Sequence, residues 1–331
     1  MDFVLSSDQE ALQEGIRSFC DQRLDPAQLR DLERSGFDRD LWNDFVEMGV
    51  FALRRPEAGG GVGLGMAEAV LVFEELGRCL APGPLLWTHL AADVVEGAGA
   101  GEVIVTGLEL EQGGGGPVMI EHLASADDLL ILREEGLYRV ETGVLDAQAI
   151  DGPLDPFTPI HRVESLPEGE RIADAATADR LRLAGTVLAA ASMLGIAEAS
   201  QSLATEYARG REQFGRAVGS FQAVKHILAD CFVRQELARA AVYAAGVLLD
   251  DPSSSEGRRS ASAAKLIAGE AAMKNARACI QVHGGMGFTW ENPAHYYLKR
   301  TWILERAFGT ITQQADHLAV EMAEETVAAR A

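Results

Sequence analysis

Residues Ala184 to Tyr207 are apolar nearly all round. A stretch of that length with no consistent polar face predicts a helix buried among other helices, which makes a bundle the organising element of the chain. The neighbours such a helix needs are legible on both sides of it. Ser6-Ser-Asp-Gln-Glu is a capping sequence with acidic residues in the first turn, and apolar Leu12, Ile16 and Phe19 follow at helical spacing. Leu41, Phe45 and Val46 repeat that spacing, as do Val70, Phe73, Leu76 and Leu80. Beyond the apolar stretch, Ala261 to Val282 and Ile303 to Ala329 read as two further helices, and Asp250-Asp-Pro-Ser-Ser-Ser-Glu-Gly257 breaks the chain before them.

Between the helical regions the texture changes. Val103-Ile-Val-Thr106, Leu129-Leu-Ile-Leu132, Leu137-Tyr-Arg-Val140 and His161-Arg-Val163 are short β-rich runs. Gly113-Gly-Gly-Gly-Pro117 and Asp151-Gly-Pro-Leu-Asp-Pro156 punctuate them as turns, and Glu135-Gly136 fits a hairpin connection. The expected fold is therefore mainly α with a small β-domain. An N-terminal helical domain spans 1–100, a small antiparallel β-domain 101–171, and a C-terminal four-helix bundle 172–331. Pro56-Glu-Ala-Gly-Gly-Gly-Val-Gly-Leu-Gly65 carries a formal dinucleotide-like glycine cluster. No strand precedes it and no Lys-Ser/Thr follows, so it reads as a flexible loop.

Charge narrows the function. With 29 basic and 50 acidic side chains the formal net charge is -21, which repels nucleic-acid backbones and anionic lipid. Any anionic ligand must be met by local basic groups or helix N-termini. Cys20, Cys79, Cys231 and Cys279 are scattered without a CxxC pair, so their spacing supports neither metal nor redox pairing and they read as reduced thiols. The histidines lack metal-ligand spacing. The sequence that begins Met1-Asp-Phe-Val shows neither a signal pattern nor an uncharged run long enough to cross a bilayer, and the expected location is cytoplasmic.

Chemistry-bearing residues concentrate in two segments. The first is Tyr207-Ala-Arg-Gly-Arg-Glu-Gln-Phe-Gly-Arg-Ala-Val-Gly-Ser-Phe-Gln-Ala-Val-Lys225, ending in Leu228-Ala-Asp230; the second is Gln281-Val-His-Gly-Gly-Met-Gly-Phe288, followed by Glu291-Asn-Pro293. Arg211 offers a fork of donors suited to paired phosphate oxygens. Gln213, Gln222 and Gln281 can hydrogen-bond phosphate, ribose or adenine, and Phe214 and Phe221 can pack on flat or apolar parts of a nucleotide. Gly284 and Gly285 allow a backbone approach that a side chain would block. Taken singly, these would be a surface ion pair, solvated amides, core aromatics and a helix end; the order and spacing set them apart. His283 reads as a packing or hydrogen-bonding residue.

Both segments resemble the acyl-CoA dehydrogenase family, as does Pro56 to Ala69 with Glu74-Glu-Leu-Gly-Arg78 behind it. The resemblance covers the two helical regions and is weak in the β zone. It implies that Arg211, Gln213, Phe214, Phe221, Gln222, Gln281, Gly284 and Gly285 contact the adenosine and pyrophosphate half of an FAD held by a neighbouring subunit.

The same comparison exposes departures. The family uses a glutamate to remove the substrate α-proton while a β-hydride passes to flavin N5. That glutamate stands in one of two places, and the matching positions here are Gly309, within Ala307-Phe-Gly-Thr310, and Gly185. Neither can accept a proton. Thr186 occupies the position that usually lends an arginine toward substrate. The loop and Trp-bearing strand with which the family holds the flavin ring find no match between 102 and 170. Glu305 and Asp179 are near enough in sequence to be displaced bases, although a one-turn offset moves a carboxylate by about 5 Å.

The resemblance thus implies a non-catalytic subunit of a heteromeric acyl-CoA dehydrogenase, of the kind found in actinobacterial steroid side-chain degradation, with an α2β2 assembly. A catalytic partner chain would bind most of the acyl-CoA and supply the glutamate. Two alternatives stay open: a self-sufficient homomeric enzyme with a displaced base, and a FAD-free scaffold or regulatory subunit.

Overall fold

The computed structural model describes residues 4–24, 29, 32–33, 37–110, 116–251 and 256–328. Its chain contacts define two compact units. One comprises 1–21, 70–81 and 186–331, and the other 22–69 and 82–185. The β zone therefore lies wholly within the second unit. The expected turn at Gly113–Pro117 and the middle of the break after Asp250 lie partly outside the described residues.

The first unit is helical. It takes in most of α1 (Ser7–Arg23), much of α3 (Met66–Arg78) and α5 (Ala175–Gly210), and all of α6 (Gln222–Asp250), α7 (Gly257–His283), α8 (Ala294–Arg306) and α9 (Ile311–Ala328). The cap at Ser6 forms as expected: its hydroxyl accepts from Gln9 N at 3.2 Å and the Gln9 amide oxygen accepts from Ser6 N at 3.0 Å. Val187 to Leu194 is buried almost without interruption, the consequence of an apolar helix with neighbours on all sides. This helix does contain an 18-residue window of mean hydropathy 1.5, enough by composition to cross a membrane, but 83% of that window is buried in the fold.

Two glycines set how closely α3 and α5 pack. A Cβ on Gly77 would lie 2.1 Å from the Ser192 carbonyl oxygen, and one on Gly195 would lie 1.9 Å from that of Glu74. Only bare backbone fits there. The same crossing buries charge. Arg17 forks onto Glu75 with contacts of 2.7 and 3.0 Å, and also reaches Glu198 at 2.9 Å. Arg78 joins Glu75 to Asp21, each at 2.6 Å, while Arg239 and the Tyr243 hydroxyl meet Glu74 at 3.2 and 2.7 Å. Each buried carboxylate is thus compensated by donors from other helices.

The stretch read as one helix from Ile303 to Ala329 is two. Phe308 at φ 54° and Gly309 at φ 87° interrupt it between α8 and α9. The fully buried Lys265 closes the end of α8 by donating from Nζ to Leu304 O at 2.7 Å and to Ala307 O. A cation at a helix C-terminus complements both the free carbonyls and the helix dipole. Sequence periodicity continues across the break, which is why it was invisible there.

The second unit holds α2 (Arg39–Glu47), α4 (Leu85–Ala91) and two small sheets. Asp38 caps α2 through Leu41 N at 2.8 Å, and Trp42 stacks on Phe51 with ring centroids 4.5 Å apart. The first sheet contains β1 (Val105–Glu109), β3 (Asp128–Leu132), β4 (Gly136–Glu141) and β7 (Glu170–Asp174) in the order 1-3-4-7; the second contains β2 (Val118–Glu121), β5 (Ala147–Ala149) and β6 (Ile160–Val163) in the order 2-6-5. The hairpin through Glu135-Gly136 is present. One expectation is corrected: β1 pairs with β3 in parallel, so the zone is mixed rather than purely antiparallel. Ile120, Leu129, Ile131, Tyr138, Val140 and Val163 form its core. The loop from Pro56 to Gly65 is drawn together by its own backbone, with Val62 N donating to Ala52 O and Gly63 N to Arg55 O at 3.1 and 2.8 Å.

Candidate functional site

The two motif segments are joined by a ring stack. Tyr207, near the end of α5, lies over His283, the last residue of α7, with centroids 4.1 Å apart and planes 28° from parallel. Burial pushes the His283 imidazole below its usual pKa, and its Nδ1 is 2.8 Å from Cys279 O. His283 is therefore a packing residue, as its sequence context implies. Beneath the stack, Ala204 of α5, Ala276, Cys279 and Ile280 of α7, and Ala294 and Leu298 of α8 form one apolar cluster, with Leu228 of α6 against it. This core fixes the chain just before Arg211 beside the chain just before Gly284.

After α5 the backbone makes a two-strand hairpin, β8 (Glu212–Gln213) and β9 (Arg216–Ala217), around Phe214 and Gly215. Both turn residues have positive φ, 54° and 79°, the pattern of a type I′ turn. Glycine suits that conformation, but a phenylalanine is strained in it. The turn nevertheless carries Phe214 at its tip, 92% exposed. Phe221 sits edge-on to it at 6.3 Å and takes the Arg216 guanidinium over its face at 4.0 Å. An exposed aromatic held at backbone cost is a feature expected of a contact surface.

The polar members also face outward. The Arg211 and Gln281 side chains are exposed, and neither makes a hydrogen bond or ion pair with the described residues. Gln213 is exposed and donates to Glu212 O at 2.7 Å; Gln222 lies 3.4 Å from His226 Nε2 at the start of α6. A Cβ on Gly284 or Gly285 would meet nothing within 4 Å, so the backbone of this 3-10 turn is open on its outer side. From Gln281 a groove of about 410 Å³ runs between α6 and α7, lined by Ile227, Asp230, Arg234, Lys274, Arg277 and Ala278. The lining carries three cations beside the carboxylate of Asp230, with Arg234 paired to Asp230 and Lys274 to Glu270, a grouping that only the packing of α6 on α7 reveals. An exposed guanidinium, exposed amides and open glycine backbone are a donor set suited to a nucleotide diphosphate.

The candidate bases have other partners. Glu305 accepts from Ile311 N at 3.0 Å and so caps α9. Asp179 pairs with Arg182 at 3.5 Å on the first turns of α5, where Arg182 also meets Glu109. Gly309 is half-buried, and a Cβ there would fall 2.7 Å from Gln314 Nε2. Gly185 and Thr186 are buried within α5. Among the described residues no group of histidine, cysteine or acidic side chains is disposed to hold a metal.

Residues 6–104 match the acyl-CoA dehydrogenase N-terminal domain and residues 183–323 the C-terminal domain. The chain is similar to the acyl-CoA dehydrogenase IpdE2 of Mycobacterium tuberculosis, with 34% identity over 301 residues, covering 88% of this chain and 90% of the relative. It is also similar to the acyl-CoA dehydrogenase FadE34 of the same organism, at 33% identity over 83% of this chain and 42% of the relative. Among solved structures, the ChsE4–ChsE5 complex from Mycobacterium tuberculosis matches with a TM-score of 0.84 and 26% identity, over 98% of this chain and 99% of that one. The chain belongs to the acyl-CoA dehydrogenase family, a family of FAD-binding oxidoreductases acting on acyl-CoA.

Proposed function

We propose that this chain is the non-catalytic subunit of a heteromeric FAD-dependent acyl-CoA dehydrogenase that introduces an α,β double bond into an acyl-CoA thioester. The observation that carries the reading is an asymmetry. The residues assigned to the nucleotide tail are exposed or half-buried, Arg211 and Gln281 without side-chain partners among the described residues, whereas both positions from which the family draws its base are glycines. FAD, when bound, supplies the hydride acceptor. Arg211 holds the pyrophosphate, Gln213, Gln222 and Gln281 take ribose, adenine or phosphate, and Gly284 and Gly285 give backbone approach, all toward a cofactor seated on the partner. Phe214 and Phe221 cover its apolar edge. The partner chain provides the glutamate, the flavin-ring contacts and most of the thioester pocket.

Similarity to a chain of the two-component ChsE4–ChsE5 complex supports a hetero-oligomer, for which α2β2 is the proposed form. The proposed substrate is a steroid side-chain CoA ester, and the proposed location is the cytoplasm. The test is anaerobic mixing with an acyl-CoA. The complex of this chain with its dehydrogenase-like partner should bleach its flavin, and this chain alone should not. Bleaching by this chain alone would favour a self-sufficient enzyme and send attention to Glu305 and Asp179. A stable complex without flavin would favour the scaffold reading.

A further inference from the structure

The four cysteines are free and buried, yet two of them, 59 positions apart in sequence, meet in space. Cys20 lies in the last turns of α1 and Cys79 directly after α3. The Cys79 thiol donates to the Cys20 sulfur at 3.0 Å, and its sulfur is 3.5 Å from Leu76 O. A disulfide requires the sulfurs to close by only about 1 Å, a movement within reach of side-chain torsions. Cys20 is completely buried, while Cys79 retains 7% exposure and is the point of entry for a small reagent. The helices that carry the pair are held together by Arg17 on Glu75 and by Arg78 on Asp21.

We infer that Cys20 and Cys79 form a reversible disulfide that staples α1 to the end of α3 when the chain meets a low-molecular-weight disulfide oxidant. In the first step Cys79 loses its proton and attacks one sulfur of the oxidant, whose S–S bond breaks and releases one small thiol. In the second, Cys20 loses its proton and attacks the Cys79 sulfur of the mixed disulfide, releasing the second thiol. The two cysteines are oxidised by two electrons, the oxidant is reduced by two, and the two protons leave on the small thiols. In the reduced pair the hydrogen bond with Cys79 and burial both raise the Cys20 pKa; in the mixed disulfide only burial remains, and it keeps the second step slow at neutral pH and faster in alkali. The closed link ties residues 20 and 79 and restricts the unfolded chain, so the oxidised form melts higher.

The test uses the full chain in the assembly in which it purifies, incubated with glutathione disulfide at pH 8.5 and mapped by mass spectrometry without reduction. The expected product is a Cys20–Cys79 linked peptide two hydrogens lighter than the sum of its parts, with a melting temperature raised by several degrees. Dithiothreitol should reverse both changes, and Cys79→Ser should abolish them. Cys20→Ser should instead leave glutathione attached to Cys79. Persistence of both free thiols in the native protein, or a glutathione adduct on Cys79 that never resolves in the unsubstituted chain, would overturn the inference. The readout is independent of flavin content, so it stands or falls apart from the proposed function.

Discussion

Tyr207 and His283 stack at 4.1 Å, and through that contact the end of α5 and the end of α7 become one surface. The stack is buried on the His283 side and carries no catalytic group of its own. Its consequence is positional: Arg211 follows Tyr207 by four residues and Gly284 follows His283 by one. Replacing His283 with Ala removes the ring and its contact with Cys279 O, at a cost of about 3 kcal/mol, the low end for buried aromatic truncations. The account predicts flavin loss from the complex beyond what this destabilisation explains, measured as absorbance at the flavin band per complex at a temperature where both proteins are folded.

Arg211→Ala tests the phosphate contact directly. The guanidinium is exposed and makes no hydrogen bond or ion pair among the described residues, so its removal should leave the melting temperature within about 1 °C. A forked, charge-assisted contact contributes roughly 2–3 kcal/mol, so FAD should bind the complex roughly 30- to 150-fold more weakly. Equilibrium dialysis of the complex gives the number.

Phe214 predicts a separation of stability from assembly. Asn tolerates its positive φ better than Phe, so Phe214→Asn should hold or raise stability by up to about 1 kcal/mol. The same change deletes the most exposed apolar side chain of the site. Complex formation or flavin retention should fall, as read by size-exclusion chromatography with flavin detection.

Glu74 gives the chain a pH signature. Burial pushes this carboxyl up to about 7, against the opposing effects of Arg239 and of the Tyr243 hydrogen bond, and Glu198 and Glu75 push the same way as burial. Gln13 donates to Glu74 at 3.4 Å, and Arg17 meets the neighbouring Glu75 and Glu198. Burial works against the charge on Arg239, yet Glu74, Glu198 and Glu236 hold it above its usual value, so Glu74 is the member that takes the proton. Between its ordinary 4.5 and about 7, the folded chain binds more protons at this site than the unfolded chain. Stability from this group is therefore greatest at low pH and falls by about 3 kcal/mol as pH rises through that window. Urea unfolding from pH 5 to 8 should show the decline, and Glu74→Gln should flatten it.

Gly309→Glu addresses the missing base. The residue sits at φ 87°, and its Cβ would press on Gln314 Nε2, which itself donates to Phe308 O at 2.7 Å. The substitution should destabilise the chain by about 1–3 kcal/mol and should not confer acyl-CoA oxidation on the isolated chain. Flavin reduction by substrate in that variant alone would contradict this.

Much of the fold is legible from local signals. Apolar spacing places α1, α3, α5 and α7, and the Glu135-Gly136 hairpin is a local turn signal that needs no tertiary help. Both motif segments are readable because their residue order is informative. What escapes is set by contacts between distant segments. The parallel pairing of β1 with β3 sets Val105 against Asp128 and depends on a distant strand rather than on an adjacent turn. The break at Phe308-Gly309 is hidden because apolar spacing runs through it and the cap, Lys265, is supplied by another helix. The exposed Phe214, the Arg234–Lys274–Arg277 groove and the Cys20–Cys79 pair likewise arise only when helices pack.

The central claim is a flavin site completed by two different chains, and flavin stoichiometry in a co-purified assembly tests it most directly. This chain would be tagged, co-expressed with the acyl-CoA dehydrogenase-like protein encoded nearest to it, and weighed by native mass spectrometry beside its absorbance spectrum. The account predicts a yellow α2β2 complex and a colourless chain when expressed alone. A yellow, acyl-CoA-reducible assembly containing only this chain would contradict it.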